Sequence, residues 1–596
     1  MNEQDPTGRV TSREAAEHAT LQSFLNCYLR ETGAGEWVET EHGGYSLRLE
    51  LPEQGFELLV PVRYRSSTGR HLFDRPIRYA NSAGDPPELD YVTLIALLVR
   101  ELSLAADSAS GDSGELLLRV VDSCQNIERF VERYLLTAEK LYSFSTDFHR
   151  AEQALVFGHH LHPTPKSRQD FSPDELPLYS PELGGSFPLH YFRAHRSIVS
   201  EDSALAESAS ELVENELRRD PAVSEEFLRV NAEEGYSFVP VHPWQAEYLL
   251  RRPEVRALIE SGELESLGPV GSPYHPTSSL RTVYRQESGY MLKLSLGVRI
   301  TNSVRNNLRK ELRRGLKVHR ILQSAVGREL RERFPGFDFV RDPAYLTVET
   351  LGERELGFEV VLRENPFHSG EDVTPLIALC QDPLPGQDSR LGNIVRTLAR
   401  REGRCTGEVS LEWFRHYLKL SLHPMLWLYF THGLAPEAHQ QNSLLQLREG
   451  YPCRFLYRDN QGYYFRAESR EKLERELPGL HAAEDETIVP ETVVEERLRY
   501  YFIFNNLFGL INAFGCAGLV EERALLTELR SHLQEWRLRA PEGSRFIPEL
   551  LYKRKLPCKA NLLTRFYEMD ELAGSLEGQS VYVEVDNPLA QEVYVP

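Results

Sequence analysis

The sequence predicts an α+β fold in which a central antiparallel sheet is followed by a largely helical C-terminal part. From Leu292 to Thr301, apolar residues alternate strictly with polar or small residues, which is the period of a strand with one buried face. Beyond about residue 365 the chain has mostly helical periodicity, with one predicted hairpin. The length of 596 residues is typical of about two to four domains.

The N-terminal region begins with a predicted helix and continues into strands. Thr11 and Glu14 have the spacing of a capping box, which marks a helix start. Residues 45–51 alternate apolar and polar side chains, and residues 56–65 could pair with them as a second strand. A second helix is expected over residues 91–105.

Composition excludes several classes of protein. No stretch approaches the roughly 20 consecutive apolar residues of a membrane-spanning helix, and the N-terminus lacks the features of a signal peptide, so we expect a cytoplasmic location. Seven scattered cysteines without a CxxC pair argue against a disulfide framework or a zinc ribbon. The net charge of -21 opposes binding to a nucleic acid backbone.

The most informative segment is a predicted hairpin near residue 290. Residues 278–284 are typical of a strand, residues 286–289 supply the turn, and the alternating strand follows. The hairpin brings hydroxyl and cationic side chains together, namely Ser279, Arg281, Thr282 and Lys293. Whether Arg281 or Thr282 shares the face of Lys293 depends on strand register, which the sequence leaves open.

A predicted helix start follows this hairpin directly. Asn302 or Ser303 is the expected N-cap, and Arg305 falls in the first turn. Free backbone N–H groups at a helix N-terminus, together with a guanidinium, form an anion site. Such a site would suit a polyphosphate or a polycarboxylate, although a solvated face of an antiparallel sheet explains the same residues about equally well.

Two further clusters carry polar side chains suited to binding. Glu437 and Asp459 could hold Mg²⁺ with a nucleotide, since this ion usually takes one or two carboxylates, but Asp459 also suits a plain turn in a hairpin of residues 455–465. Residues 158–168 hold three histidines and two cations without an HExxH motif or a cysteine partner. Histidines that donate hydrogen bonds to an anion are therefore favoured over zinc ligands.

The standard nucleotide and hydrolase motifs are absent from the sequence. It contains no GxxxxGK[ST] loop, no GxGxxG after a strand and no GxSxG elbow. Any nucleotide site must therefore be built in another way.

Several separated motifs together resemble the NRPS-independent siderophore synthetases, the family of the aerobactin and achromobactin synthetases. They are His159-x-x-His162-Pro163-x-x-Lys166, Ser278-Ser279-Leu280-Arg281-Thr282, Lys293 to Arg305, Glu437-Ala438-His439-Gln440-Gln441-Asn442 and Arg458-Asp459-Asn460. The resemblance spans nearly the whole chain. Residues 22–33, 189–195 and 558–565 resemble the members that couple citrate to spermidine in petrobactin biosynthesis. One departure is His160, where many relatives have proline.

The resemblance implies a cupped-hand architecture, usually dimeric. It has an N-terminal thumb (1–154), fingers that carry an ATP-binding hairpin (155–365) and a mostly helical palm that completes the active site (366–596). The implied ATP site comprises Ser279, Arg281, Thr282, Lys293, Arg305 and His439. Mg²⁺ would lie at Glu437, Gln441 and Asp459, and citrate at His162, Thr301, Asn302, Arg305 and Lys559. Lys293, Arg305 and His439 would be catalytic.

The implied reaction is adenylation of citrate followed by transfer to an amine. A citrate carboxylate would attack the α-phosphate of ATP, release pyrophosphate and form a citryl-adenylate, which spermidine would open. Another diamine, an amino alcohol or serine is an alternative acceptor, and a non-catalytic citrate or nucleotide binder is a third hypothesis. An acidic group near the acceptor could hold a polyamine cation, but the sequence identifies none.

Overall fold

The computed structural model describes residues 10–40, 43–80, 88–106, 113–300, 303–350, 352, 355–367, 370–476, 487–569 and 580–590. Among these residues, no helix combines the length and the apolar character that crossing a membrane would require. The predicted Thr301 and Asn302 lie outside the described residues.

The N-terminal region packs helices against a small antiparallel sheet. Its helices are α1 (Ser12–Thr32), α2 (Tyr91–Ala105), α3 (Ser113–Tyr134), α4 (Ala138–Leu141) and α5 (Phe148–Gln153). Its strands are β1 (Glu36–Glu39), β2 (Tyr45–Leu51), β3 (Phe56–Tyr64), β4 (Leu72–Phe73) and β5 (Arg78–Tyr79). The predicted capping box at Thr11 and Glu14 is confirmed, as are the predicted pair of strands and the second helix.

The middle region is built on one large antiparallel sheet. The strands of the middle region are β6 (Phe187–His195), β7 (Val199–Ser203), β8 (Tyr236–Val241), β9 (Leu264–Pro276), β10 (Thr282–Tyr284), β11 (Tyr290–Leu294), β12 (Leu296–Ile300), β13 (Ser303–Arg305), β14 (Phe337–Phe339), β15 (Ala344–Val348) and β16 (Val360–Glu364). Of these, β12 and β13 form a separate pair, and β14 pairs with a strand of the C-terminal region. The sheet order is β7-β15-β16-β11-β10-β9-β6-β8, which confirms the predicted central antiparallel sheet.

The helices of this region flank the sheet or lead towards the C-terminal part. They are α6 (Glu175–Tyr179), α7 (Ala209–Arg219), α8 (Glu225–Asn231), α9 (Pro243–Arg251), α10 (Pro253–Glu260), α11 (Arg309–Gln323) and α12 (Ala325–Arg333). Short 3₁₀ turns occur at Pro181–Leu183 and Arg196–Ile198.

The C-terminal region is mainly helical, as predicted, with small sheets beside the helices. Its helices are α13 (Leu376–Cys380), α14 (Arg390–Glu402), α15 (Thr406–Leu420), α16 (Leu422–His432), α17 (Arg470–Glu476), α18 (Glu491–Leu498), α19 (Gly509–Cys516), α20 (Glu522–Arg537), α21 (Phe546–Tyr552) and α22 (Asn561–Phe566). A 3₁₀ turn spans Ala467–Ser469, and a π-helical segment, Arg499–Phe508, joins α18 to α19. The strands are β17 (Asp372–Pro375), β18 (Leu434–Pro436), β19 (Ser443–Arg448), β20 (Tyr451–Tyr457), β21 (Tyr463–Arg466), β22 (Ile488–Val489), β23 (Lys555–Ala560) and β24 (Val581–Asp586).

Two of the three large apolar cores cross the regions predicted from the sequence. The sheet core contains the apolar face of β11 and β12, and the C-terminal core takes in Val318, Leu330 and Phe337 from the middle of the chain. The N-terminal core includes Leu562 and Phe566 of α22. The two ends of the described chain therefore pack together, and the proposed boundaries at 154/155 and 365/366 stay a prediction.

The predicted helix start at Asn302 or Ser303 is wrong. Arg305 lies in β13, which pairs with β12 in antiparallel fashion, so these backbone groups are used in a ladder rather than a helix. The helix begins at Arg309, and the carboxylate of Glu311 accepts the backbone N–H of Leu308 (2.9 Å). The proposed anion site at a helix N-terminus beside Arg305 therefore does not exist.

The hairpin predicted around Asp459 is also wrong. β20 pairs with β19 and β14, whereas β21 pairs with β18 and β22. Both flanking strands find partners elsewhere, so residues 458–462 connect two separate sheets. The hydroxyl of Tyr457 donates to the carbonyl of Gly462 (2.6 Å) across this connection.

The packing behind β12 generates a prediction about stability. Leu296 is fully buried in the sheet core, so Leu296→Ala should lower the free energy of unfolding by about 2–5 kcal/mol through lost apolar contact and a residual cavity. Urea unfolding followed by tryptophan fluorescence measures the change. Leu118→Ala, at a side chain that is 62% exposed, is the control, and equal effects of the two variants would contradict the described packing.

Candidate active site

One cavity of about 350 Å³ brings the predicted site residues together. It lies between the β10–β11 hairpin, the histidine loop (residues 158–168), the loops 437–442 and 458–462, and β23. Every predicted residue within the described part of the chain lines it, namely His162, Ser279, Arg281, Thr282, Lys293, Arg305, Glu437, His439, Gln441, Asp459 and Lys559. The roles given to them remain predictions.

Strand pairing settles the register question that the sequence left open. Thr282 lies opposite Lys293, and residues directly opposite each other share a face of the sheet. Arg281 precedes the strand, and its carbonyl accepts the N–H of Leu294 (2.9 Å). Leu292 and Leu294 are buried in the sheet core, so alternation turns Lys293 towards the cavity.

The guanidinium of Arg281 connects the hairpin to β13. It donates to the carbonyl of Arg305 (3.1 Å) and to the side-chain oxygen of Asn307 (3.0 Å). Burial lowers the pKa of Arg281, although Glu311 and Asp459 oppose the shift. Asn307 in turn donates to the carbonyl of Lys293 (3.0 Å), so these hydrogen bonds link the backbones of Lys293 and Arg305, which both line the cavity.

Lys293 forms a buried ion pair with Asp459. Its Nζ lies 3.2 Å from Oδ1 of Asp459 and also contacts Oε1 of Gln461. Burial lowers the pKa of Lys293 to about 8, with Asp459 opposing the shift. Burial alone would raise the pKa of Asp459, but Lys293 and Arg363 together hold it well below its usual range.

Glu437 supplies a second carboxylate on the same wall. Tyr464 donates its hydroxyl to Oε1 of Glu437 (3.1 Å). Burial raises the pKa of Glu437, and the charge of Asp459 adds to the rise against the opposing charges of Arg497 and Lys559. A Cβ at Gly462 would lie 2.9 Å from Oε2 of Glu437, so glycine leaves the room that this carboxylate needs.

These side chains fit a Mg²⁺ ion that is bound together with a phosphate. The negative charges of Glu437 and Asp459 repel each other. A divalent cation bound between them would offset that repulsion. Gln441 donates its amide N–H to Ser278 (3.3 Å), which leaves the amide oxygen as its cation-binding group. In the part of the chain that is described, no three His, Cys, Asp or Glu side chains could hold a metal alone, so phosphate oxygens would have to complete the shell.

The two predicted histidine roles are compatible with neutral rings. Nδ1 of His162 accepts the N–H of Thr164 (3.1 Å), so the neutral ring carries its proton on Nε2, the donor that an anion requires. Asn442 lies 2.9 Å from Nε2 of His439 and can donate to it. Burial lowers the pKa of His439 to about 3, with Asp459 opposing the shift.

Lys559 lies on β23 and lines the cavity. Its ammonium lies 5.8 Å and 5.9 Å from the ring centroids of Tyr500 and Tyr501, within cation–π range. β23 pairs with β24, with Lys559 opposite Tyr582. Aromatic rings thus restrict where this cation can point.

Sequence reasoning missed some charged residues that line the cavity. Arg363 pairs with Asp342 through two hydrogen bonds of 2.7 and 2.9 Å, and Arg458 pairs with the buried Glu152 (2.5 Å). Arg458 lies in a recognised motif and could have been noticed. Arg363 carries no local signal, because its place beside Lys293 depends on the pairing of β16 with β11.

A larger cavity, of about 980 Å³, lies between α1 and residues 380–389. Size alone would favour it as the functional site, but it shares only His159 with the smaller cavity. A buried ion pair on its wall, Arg70 with Asp382, already joins opposite charges. We therefore assign the chemistry to the smaller cavity, where cations converge on a sheet face.

Comparison with known proteins identifies the family. A family model described as the IucA / IucC family matches residues 147–381, which include the histidine loop and the hairpin. The chain is 48% identical to the spermidine-citrate ligase of Bacillus anthracis, over 98% of this chain and 99% of that protein. The chain belongs to the IucA/IucC family. The predicted resemblance to siderophore synthetases is confirmed.

Two further relatives support this assignment. The rhizobactin siderophore biosynthesis protein RhbC of Rhizobium meliloti is 39% identical, over 96% of this chain and 97% of that protein. The ATP-bound aerobactin synthetase IucA of Klebsiella pneumoniae superposes with a TM-score of 0.87 at 29% identity, over 96% of this chain and 100% of that chain. The predicted α+β fold class is confirmed.

A second family model, described as ferric iron reductase FhuF-like transporter, matches residues 411–574. This match is a similarity of the C-terminal region to that family.

The repulsion between Glu437 and Asp459 generates a prediction about stability. The pKa of Glu437 is higher in the folded state than in the unfolded state, where it is near 4.5. The charged carboxylate therefore opposes folding at a pH above the folded-state pKa, and this effect is lost well below the unfolded-state pKa. Glu437→Gln should therefore raise the free energy of unfolding at pH 8 by about 1 kcal/mol.

Urea unfolding in metal-free buffer at pH 8 and at pH 4.5 measures this change. The gain should shrink at the lower pH, because protonation of Glu437 then removes much of the charge that opposes folding. Glu287→Gln, at an exposed glutamate on the hairpin turn, should have no effect at either pH. A Glu437→Gln variant that is less stable than the wild type at pH 8 would contradict this electrostatic account.

Proposed function

We propose that the protein is an ATP-dependent synthetase that joins a carboxylate of citrate to an amine of spermidine. The observation that carries the proposal is the cavity in which Lys293, Arg281 and Arg305 converge beside Glu437 and Asp459. Full-length similarity to a spermidine-citrate ligase supports the choice of substrates, and similarity to an ATP-bound synthetase supports ATP.

The proposed first step is attack of a citrate carboxylate on the α-phosphate of ATP, with release of pyrophosphate. Both reactants are anions, so their approach requires positive charge between them. Lys293, on the hairpin, and Arg305, on β13, would neutralise charge that develops on the phosphate oxygens. Such groups act most strongly when they are already oriented in a site shielded from water.

The neutral ring of His439 would donate a hydrogen bond to ATP, while Ser279 and Thr282 would offer hydroxyls from the hairpin. Mg²⁺ would be held by Glu437, Gln441 and Asp459, and when bound it would neutralise phosphate charge. Thr301 and Asn302 remain predicted citrate residues outside the described part of the chain.

His162, on the histidine loop, and Lys559, on β23, would hold citrate. His162 would donate from Nε2 to a carboxylate, and Lys559 would add a positive charge beside Tyr500 and Tyr501. This arrangement leaves one citrate carboxylate to face the α-phosphate. In the second step, a neutral amine of spermidine would attack the citryl-adenylate carbonyl, forming the amide and releasing AMP.

We also propose that the protein works in the cytoplasm as a homodimer and binds no nucleic acid. The net charge of -21 supports the last point. Light scattering after size-exclusion chromatography measures the oligomeric state.

Pyrophosphate release tests the proposed reaction. With ATP, Mg²⁺, citrate and spermidine, release should depend on citrate, and mass spectrometry should find citryl-spermidine and AMP. Lys293→Ala and Arg305→Ala should each lower kcat/KM roughly a hundredfold or more, because charge stabilisation in the transition state is lost. Arg320→Ala, on the exposed part of α11, is the matched control for loss of an arginine.

Undiminished turnover in both variants would overturn the site assignment. Faster turnover with another diamine, an amino alcohol or serine would overturn spermidine as the acceptor while keeping the adenylation. Citrate binding in calorimetry without product from any amine would favour a non-catalytic binder.

The metal role of Glu437 is tested by a Mg²⁺ titration of the same assay. Glu437→Gln should raise the Mg²⁺ concentration for half-maximal rate at least about tenfold, because one anionic ligand is replaced by a neutral amide. Glu287→Gln should leave the titration unchanged. An unaltered Mg²⁺ requirement in Glu437→Gln would remove this residue from the proposed metal site.

A further inference from the structure

The N-terminal helix α1 contacts both segments to which the proposed function assigns citrate. Near its middle, Ser23 donates its hydroxyl to the carbonyl of His162 (2.6 Å). At its C-terminal end, the carboxylate of Glu31 accepts the backbone N–H groups of Leu562 (2.9 Å) and Leu563 (2.8 Å). One rigid helix therefore links the histidine loop to the segment that follows Lys559.

Burial of the Glu31 carboxylate costs free energy, because the charged group is removed from water. Its side chain is 8% exposed, and burial raises its pKa to about 7, although the N–H groups of Leu562 and Leu563 oppose the rise. A buried carboxylate is expensive unless its charge is offset, and here the two N–H groups offset more of the cost than the charge of Arg30 does. The neighbouring Arg30 points elsewhere, donating to the carbonyl of Thr68 (2.9 Å). The carboxylate thus serves the backbone of α22.

Holding the first turn of α22 restrains the residues just before it. Lys559 lies at the end of β23, directly upstream of α22. Asn561 donates to the carbonyl of Leu161 (2.6 Å), next to His162. A narrow gap of about 10 Å³ is lined by Glu31, Lys559 and Asn561, so the carboxylate shares one small space with two residues of the proposed citrate site.

We propose that Glu31 is a positioning residue for citrate: by binding the N–H groups of Leu562 and Leu563, it holds Lys559 and Asn561 at the distance from His162 that a tricarboxylate requires. This inference rests on the proposed function, because it assumes that citrate lies between His162 and Lys559. Glu31 does not touch the substrate in this arrangement, and it acts through the backbone.

The test compares Glu31→Gln with a matched control in the pyrophosphate assay. Glutamine has one carbonyl oxygen, so it can satisfy only one of the two N–H groups and its own amide N–H group would face the other. The KM for citrate should rise roughly tenfold. An unsatisfied buried donor should disfavour the conformation that binds citrate by about that factor. The KM for ATP should change by less than about twofold, because the hydrogen bonds of Glu31 go to α22 and not to the hairpin.

Glu522→Gln is the control because Glu522 is a similar buried carboxylate far from citrate. It is 2% exposed and accepts the N–H groups of Ser67 (2.7 Å) and Thr68 (3.0 Å). It therefore also links the N-terminal and C-terminal regions, but it does not line the active-site cavity. Glu522→Gln should lower thermal stability to a similar degree and leave both KM values unchanged.

The outcomes separate this inference from the proposed function. A wild-type protein that releases no pyrophosphate with citrate would overturn the proposed function. An active wild type with an unchanged citrate KM in Glu31→Gln, or an equal rise in Glu522→Gln, would overturn only the role of Glu31. If Glu31→Gln does not fold, Glu31→Asp replaces it, since the shorter carboxylate cannot reach both N–H groups. It should raise the citrate KM alone, and an unchanged value would refute the proposal.

Discussion

The architecture of this site depends on keeping several cations close together inside the protein. The positive charges of Lys293, Arg281 and Arg363 repel one another, and this repulsion lowers the pKa of Lys293 further than burial alone does. The ion pair between Lys293 and Asp459 offsets the repulsion and stabilises the arrangement. Without Asp459, a buried ammonium would lie beside two guanidinium groups, and it would lose its proton or move outwards. The loop 458–462 must therefore meet the hairpin face, and this requirement joins the C-terminal region to the central sheet.

The remaining charges are distributed unevenly, and this distribution favours an anionic ligand. Arg363 is paired with Asp342, and the buried cations of the histidine loop share Glu182. Arg281 instead donates to neutral oxygens of residues 305–307. Arg281 therefore lines the cavity with no carboxylate of the described residues in direct contact with it. A cation that is already held in place in this way is preorganised to bind a phosphate. An ordinary wet sheet face would not bury a guanidinium in this way.

Local patterns predicted which face of a strand a side chain occupies, and they failed where strand pairing decides the outcome. The alternation from Leu292 to Ile300 correctly indicated which face Lys293 occupies, because side-chain period is a property of the strand itself. The register with Thr282 required the turn geometry. The helix expected near Arg305 was wrong because the chain turns back at once and β13 pairs with the adjacent β12. The hairpin expected around Asp459 was wrong because β20 pairs with β19 and β14, while β21 pairs with β18 and β22. Arg363 and Glu31 act on partners remote in sequence, so only the fold reveals them.

The position of α1 explains why the ends of the chain must meet for this site to form. The apolar core that holds α1 also contains Leu562 and Phe566 from α22, so hydrophobic packing brings Glu31 to the backbone beyond Lys559. Hydrophobic contact is not directional and tolerates small shifts, whereas two hydrogen bonds to adjacent N–H groups fix an angle and a distance. Packing therefore brings the two ends together, and the carboxylate adds a directional restraint between them. The proposed citrate site would need both, since three carboxylates would have to meet donors that lie hundreds of residues apart in the chain.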